Sequence, residues 1–123
     1  MIFKNDLQKR CFDFSLTLLS TSTHLRKHNK NWILLDQVVR SGTSIGANII
    51  EGSNSTSKKE FVHYLQISLK SAAETCYWLE LLKEINESEK NSLSSLIAEC
   101  QQLKKIISTI ILNTRANLLN SKL

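Results

Sequence analysis

The chain of 123 residues contains no proline and only three glycines. Helix interiors exclude proline, whereas sheet proteins need frequent turns in which proline and glycine are common. This scarcity therefore favours long helices over a sheet architecture. Apolar residues make up 41% of the chain and charged residues 22%, which is ordinary for a globular protein, and the length predicts one domain over residues 1–123.

Long apolar runs are also missing from the sequence. None approaches the roughly 20 residues that a membrane-spanning helix needs. The first ten residues, MIFKNDLQKR, lack the apolar core and the small-residue cleavage site of a secretion signal. We therefore expect a cytoplasmic protein without a membrane partner.

Cysteine is scarce as well, and the three cysteines form no CxxC pair. Cys11, Cys76 and Cys100 lie far apart, and each falls on an apolar helical stripe. This placement predicts small buried hydrophobic side chains in a reducing compartment, with metal binding or redox chemistry as the alternative.

Four segments repeat apolar residues at alternating steps of three and four, which is typical of helices packed in a bundle. The positions are Leu7, Cys11, Phe14, Leu18, Thr21 and Leu25; Leu35, Val38, Gly42, Ile45 and Ile49; Val62, Leu65, Leu69, Ala72, Cys76 and Leu79; and Leu93, Leu96, Cys100, Leu103, Ile107 and Ile110. The pattern predicts helices over roughly 5–27, 33–51, 58–85 and 88–119. Short loops between such helices predict an all-α, antiparallel, up-down-up-down four-helix bundle.

Two sequence signals mark helix ends in the middle of the chain. Gly52 follows the second stripe and suits the left-handed residue just past a helix end. Ser57 and Glu60 have the spacing of a capping box, in which the Ser57 hydroxyl accepts from the Glu60 amide while the Glu60 side chain reaches back.

The second helix has an unusually wide apolar surface. Its core stripe is flanked by a line of small or apolar residues, and a polar line runs nearly opposite the core. The flanking line is Val39, Thr43, Gly46 and Ile50, and the polar line is Gln37, Arg40, Ser44, Asn48 and Glu51. One interpretation is a broad core face with a solvated polar face. The other is a subunit interface, in which Gly46 permits close approach and the polar line forms a hydrogen-bonded network.

The same region carries a family resemblance. The run from Gln37 to Gly52, QVVRSGTSIGANIIEG, and the run from Ser57 to Phe61, SKKEF, are similar to the pattern of the 23S ribosomal RNA intervening-sequence proteins. Matching positions are Gln37, Arg40, Ser44, Ile45, Asn48, Ile49, Glu51 and Gly52. Many members have proline where Gly46 stands, so the resemblance leaves a kink in this helix open.

The resemblance implies an up-down four-helix bundle that assembles as a homopentamer and has no established enzymatic activity. A related branch is similar to the accessory variability determinant of diversity-generating retroelements, a pentameric bundle that binds a reverse transcriptase and nucleic acid. The family thus implies association with nucleic acid more than a reaction.

Basic residues concentrate at the two ends of the chain, whose net charge is +5. Because the first and last helices of an up-down bundle are neighbours, we expect this charge to gather on one side and to contact phosphates. Solvation of two outer helices is the alternative. The candidate residues are Lys9, Arg10, Arg26, Lys27, Lys30, Lys104, Lys105 and Arg115, with Lys58 and Lys59 as a second site at a helix start.

No catalytic motif is present in the sequence. His24 and His28 have the spacing of a metal pair, but no carboxylate lies near them in the sequence and HExxH is absent. We expect no enzyme, cofactor or metal. The leading hypothesis is a homopentameric bundle that binds RNA or DNA through basic surfaces, and the alternative is a protein adaptor such as an accessory subunit of a reverse transcriptase.

Overall fold

Four α-helices make up most of the chain in a computed structural model, which describes residues 1–28 and 31–121. They are α1 (Asp6–His28), α2 (Trp32–Ser53), α3 (Lys58–Ile85) and α4 (Lys90–Ser121). A 3-10 turn, Glu87–Glu89, precedes α4. The described residues contain no strand, so the all-α prediction is confirmed. None of the described helices combines the length and apolarity that crossing a bilayer requires.

Contacts between the helices show in which direction neighbouring helices run relative to each other. On the α2–α3 side, Arg40 pairs with Glu74, whereas the later residue Ile45 meets the earlier residue Ser68. On the α1–α4 side, Arg10 pairs with Glu99 and His24 pairs with Glu89. In both cases the residue numbers rise along one helix as they fall along the other. This agrees with the predicted antiparallel order.

The core follows the predicted stripes with small shifts in phase. Every residue of the second stripe is buried. Elsewhere some predicted positions are only half-buried and a neighbour is buried instead, because 3.6 residues per turn drift away from a strict seven-residue repeat. The half-buried residues are Leu7, Thr21, Leu69, Cys76 and Ile110, and the buried neighbours include Gln8, Ser22, Ser68, Thr75 and Ile111.

The predicted cap at the start of α3 is present. The Ser57 hydroxyl accepts a hydrogen bond from the Glu60 amide at 3.1 Å. The Glu60 carboxylate reaches back one residue further than the motif requires, to the Thr56 amide at 3.4 Å. The cap therefore fixes where α3 begins.

The prediction that Gly52 is a left-handed residue after the second helix is wrong. Helix α2 continues to Ser53, and no described residue has a positive φ. Gly52 is instead buried against α3, where an added Cβ would lie 3.2 Å from Leu65 Cδ1 and 3.2 Å from Tyr64 Cβ. Glycine at this position permits close approach of two helices and does not reverse the chain.

Hydroxyl side chains join α2 to α3 inside the bundle, and we call this set the α2–α3 seam: Ser41, Ser44, Ser68, Ser71 and Thr75. The buried Thr75 Oγ1 is within hydrogen-bond distance of Ser41 Oγ, at 2.8 Å, and of the Ser71 carbonyl oxygen of its own helix, at 2.6 Å. The buried Ser68 hydroxyl donates to the carbonyl of Ile45 at 2.8 Å. Small polar side chains thus bring two helices close together while their hydroxyls remain hydrogen-bonded.

Gly42 allows α1 to approach the same helix from the other side. A Cβ at this position would lie 2.1 Å from Leu18 Cδ2 and 3.5 Å from Thr75 Cγ2. Leu18 is 1% exposed, so it has no free space into which to move. Helix α2 is therefore packed on two flanks, against α1 and against α3.

Thr75→Val should lower the free energy of unfolding by about 1–2 kcal/mol, because the buried Ser41 hydroxyl loses its partner on α3 while side-chain volume is kept. The double variant Ser41→Ala/Thr75→Val should cost less than the sum of the two single changes. Urea unfolding followed by circular dichroism measures both. Thr23→Val is the matched control, since the exposed Thr23 hydroxyl bonds only to its own helix at Leu19 O. Strict additivity of the two seam substitutions would contradict the coupling.

Gly42→Ala should lower the free energy of unfolding by about 1 kcal/mol. Overpacking against Leu18 costs about 1–3 kcal/mol, which exceeds the roughly 1 kcal/mol that alanine gains over glycine inside a helix. Ala98→Gly at an exposed position of α4 measures that propensity term separately. A Gly42→Ala variant more stable than the parent protein would show that the site has room.

Candidate nucleic-acid interface

Three of the basic residues predicted on α1 are neutralised by carboxylates. Lys9 Nζ lies 2.7 Å from Asp13 Oδ2, one turn along the same helix. The Arg10 guanidinium donates two hydrogen bonds to the Glu99 carboxylate on α4, and this bond raises the pKa of Arg10 above its ordinary value. Arg26 pairs with the Asp36 carboxylate on α2. Their charges are therefore balanced within the chain.

This pairing changes where positive charge is available. Lys27 is exposed at the end of α1, and Lys30 lies outside the described residues. The structure does not join Lys9, Arg10 and Arg26 to the lysines of α4 as one unpaired surface. The charge of one helix does not show which of its cations are unpaired, because carboxylates on neighbouring helices decide this.

The later part of α4 carries basic residues and no acidic ones. From Cys100 to Ser121 it contains no Asp or Glu but carries Lys104, Lys105 and Arg115. Lys104 and Arg115 are eleven residues apart, so they project in nearly the same direction from the helix. That direction is toward α3, because Lys104 acts electrostatically on Cys76 of α3.

Helix α3 adds three lysines to the same side of the molecule. Lys58 and Lys59 are exposed in its first turn, and Lys70 is exposed eleven residues after Lys59. This spacing places Lys59 and Lys70 on one line along the helix. Lys70 was not among the predicted binding residues, although its three-turn spacing from Lys59 is a signal that the sequence contains.

The register of α3 and α4 brings the lysines of α3 level with the basic residues of α4. Cys100 Sγ lies 3.2 Å from the carbonyl oxygen of Ala72. Because antiparallel helices have the same rise per residue, Lys104 lies about level with Ser68, and Arg115 lies about level with Ser57. We call the resulting set the basic face: Lys58, Lys59, Lys70, Lys104, Lys105 and Arg115.

Among the described residues, no carboxylate forms an ion pair with the basic face. The ion pairs found between described residues do not include any of its members. Glu60 is nearby in sequence, but it is directed away, to the backbone and hydroxyl of Thr56. A shallow groove lined by Gln101, Lys104, Lys105 and Ser108 runs along α4. Such a surface is suited to an extended anion.

The polar line of α2 is bonded to α3 of the same chain. Arg40 contacts both the Glu74 carboxylate and Gln37 Oε1, and Trp78 Nε1 donates to Glu74 at 2.9 Å. Further along, Ser71 donates to Ser44 Oγ, and Asn48 donates to the same hydroxyl. Glu51 is exposed near the end of the helix.

Within the chain, the partner of Arg40 is Glu74. In the bundle α2 has two neighbouring helices, and Arg40 and Ser44 of its polar line lie on the flank toward α3. A polar network between subunits stays a prediction.

The apolar line of α2 faces α1. Gly46 lies against α1, where an added Cβ would be 3.1 Å from Cys11 Cβ, so its close approach serves the monomer. Beyond this contact, exposed or half-buried residues that are mostly apolar lie along both helices, and we call them the α1–α2 apolar face: Phe12, Leu16, Leu19, Thr43, Ala47 and Ile50. Part of it lines a groove of about 400 Å³.

Of the two histidines on α1, His24 is within hydrogen-bond distance of a carboxylate and His28 packs against the His24 ring. His24 Nε2 lies 3.0 Å from Glu89 Oε1, and the His24 and His28 rings are in contact with centroids 4.8 Å apart. Across residues 1–28 and 31–121, no group of three or more His, Cys, Asp or Glu side chains is arranged to hold a metal ion.

The comparisons with known proteins support the resemblance. A family model described as 23S rRNA-intervening sequence protein matches residues 4–109. A crystal structure of a protein of unknown function from the S23 ribosomal protein family of Bacteroides thetaiotaomicron is similar, with 32% identity and a TM-score of 0.81. That match covers 85% of this chain and 97% of the other. Among curated proteins no relative matches. The chain belongs to the 23S rRNA-intervening sequence protein family.

Proposed function

We propose that this antiparallel four-helix bundle is a non-enzymatic, cytoplasmic homo-oligomer that associates with RNA through the basic face. The observation that carries the proposal is the set of six cations on α3 and α4 that no carboxylate balances. The family description names an rRNA intervening sequence, which favours RNA over DNA as the nucleic acid.

The geometry of the basic face suits contact with a phosphate backbone. Lys104 and Arg115 are eleven residues apart, which is about 16 Å along α4 and enough to cover several consecutive phosphates. Lys58 and Lys59 add charge at the start of α3, where free amides also favour anions. Contacts of this kind position a nucleic acid without reading its bases, so binding should have little sequence preference.

The α1–α2 apolar face supports self-association. Phe12, Leu16 and Leu19 are 40%, 52% and 43% exposed. Burying such a surface between copies of the chain removes apolar area from water. The family resemblance implies five copies, and a ring is a closed arrangement that satisfies every copy equally.

An adaptor for a protein partner, such as a reverse transcriptase, is the second candidate. The observation that favours it is an apolar stripe on the outer surface of α3, where Tyr77, Leu81 and Ile85 are 60%, 38% and 54% exposed. Helix faces of this kind dock onto partner proteins.

Lys104→Glu/Lys105→Glu should weaken RNA binding at least about tenfold, because it replaces two unpaired cations by anions at the centre of the basic face. The matched control is Lys9→Glu/Lys27→Glu, which changes the net charge by the same amount on α1 and should alter affinity by only about twofold. Fluorescence anisotropy with a labelled single-stranded RNA measures both affinities.

Equal losses in the two variants would mean that net charge, and not the basic face, drives binding. Absence of RNA binding by the parent protein would contradict the proposed function and favour the adaptor. Circular dichroism of each variant checks that the bundle is folded.

Leu16→Glu/Leu19→Glu should dissociate the oligomer, because it places two charges in an apolar contact between copies. Light scattering should give about five times the chain mass of 14.0 kDa for the parent protein and a smaller mass for the variant. Ser20→Glu, at a neighbouring exposed position of α1 outside the apolar face, is the control and should leave the mass unchanged. A parent protein that is monomeric would contradict self-association.

A further inference from the structure

Two of the three cysteines meet across α3 and α4. Cys100 is fully buried, and its Sγ lies 3.2 Å from the carbonyl oxygen of Ala72. Ala72 precedes Cys76 by four residues, so its carbonyl accepts the backbone N–H of Cys76 in a regular helix. The Cys100 sulfur is thus held at the turn of α3 that carries Cys76.

Small residues make this approach possible. Ala72 and Cys100 are both 0% exposed, and alanine leaves the backbone of α3 open to the sulfur of α4. Cys76 is half-buried and thus reachable from solvent, whereas Cys100 is buried. Cys11 is buried on α1 and takes no part in this pair.

The two sulfurs differ in acidity. The neighbouring Cys100 side chain lowers the pKa of Cys76 to about 7, and the nearby Lys104 acts in the same direction against burial and Glu80. The neighbouring Cys76 side chain and burial raise the pKa of Cys100, with Glu99 adding to the increase and Lys104 opposing it. The accessible sulfur is therefore the one that is a thiolate near neutral pH, and thiolates are the reactive form.

We propose that Cys76 and Cys100 are a redox-active thiol pair, in which a hydroperoxide oxidises Cys76 and Cys100 resolves it as an intrachain disulfide. This pair belongs to the α3–α4 contact, and the inference does not depend on RNA association or on the oligomer.

The reaction balances in two steps. The Cys76 thiolate attacks one oxygen of hydrogen peroxide, the O–O bond breaks, and hydroxide leaves and is protonated to water; Cys76 is then a sulfenic acid. The Cys100 sulfur attacks Cys76 Sγ, the S–S bond forms, and the S–O bond breaks. The leaving hydroxyl takes the Cys100 proton and departs as water. Two thiols give up two electrons in total, and one peroxide is reduced to two waters.

The test is mass spectrometry of the full chain after brief treatment with hydrogen peroxide under native conditions. We expect a loss of two hydrogens that dithiothreitol reverses. Trypsin without reduction should release residues 71–83 linked to residues 91–104, since cleavage follows Lys70, Lys83, Lys90 and Lys104. Cys11→Ser should form the same linked peptide. Cys100→Ser should accumulate a sulfenic acid at Cys76, which dimedone traps.

Three results would overturn the proposal. These are the absence of the linked peptide in the parent protein, linkage only between chains, and linkage only after unfolding in urea. Because the decisive measurement uses the parent protein, the proposal can be tested even if a cysteine variant fails to fold.

Discussion

Close packing of α2 against two neighbours is the constraint on which the other features depend. Gly42 lies against Leu18 of α1, while Ser41 and Ser44 meet Thr75 and Ser71 of α3. Small side chains allow the approach, but buried hydroxyls are stable only when they are hydrogen-bonded. The polar line of α2 therefore has its partners inside the chain. Other surfaces are then left for contacts with other molecules: the α1–α2 apolar face and the outer surfaces of α3 and α4.

Those outer surfaces divide into an apolar and a charged part. Carboxylates balance three of the four Lys and Arg side chains of α1, and apolar residues of α1 are left exposed beside them. On α3 and α4 the balance is reversed, because α4 has no acidic residue after Glu99. An oligomer that buries the first surface leaves the second free to contact phosphates. The redox-active thiol pair lies between α3 and α4 at the edge of the charged surface, beside Lys104.

Much of the fold could be predicted from the sequence, because apolar spacing determines which helix faces are buried. The second stripe is buried throughout, and the Ser57 cap lies where its motif places it. The misassignments concern partners. Glycine is common just past the end of a helix, and only the position of α3 shows that Gly52 is a packing residue. The candidate site was hard to predict for the same reason. The pairing of Arg10 with Glu99 and the alignment of Lys70 with α4 both depend on how two helices are placed relative to each other.

The salt dependence of RNA affinity tests the central claim most directly, because it counts the phosphates that the protein neutralises. Dissociation constants for one single-stranded RNA, measured from low to physiological salt, should weaken linearly on logarithmic axes, with a slope of about 0.7 for each phosphate contact. Neutralising Lys104 and Lys105 to glutamine should reduce that slope by about 1.4, two contacts' worth. An unchanged slope, or affinity that does not depend on salt, would contradict phosphate recognition by the basic face.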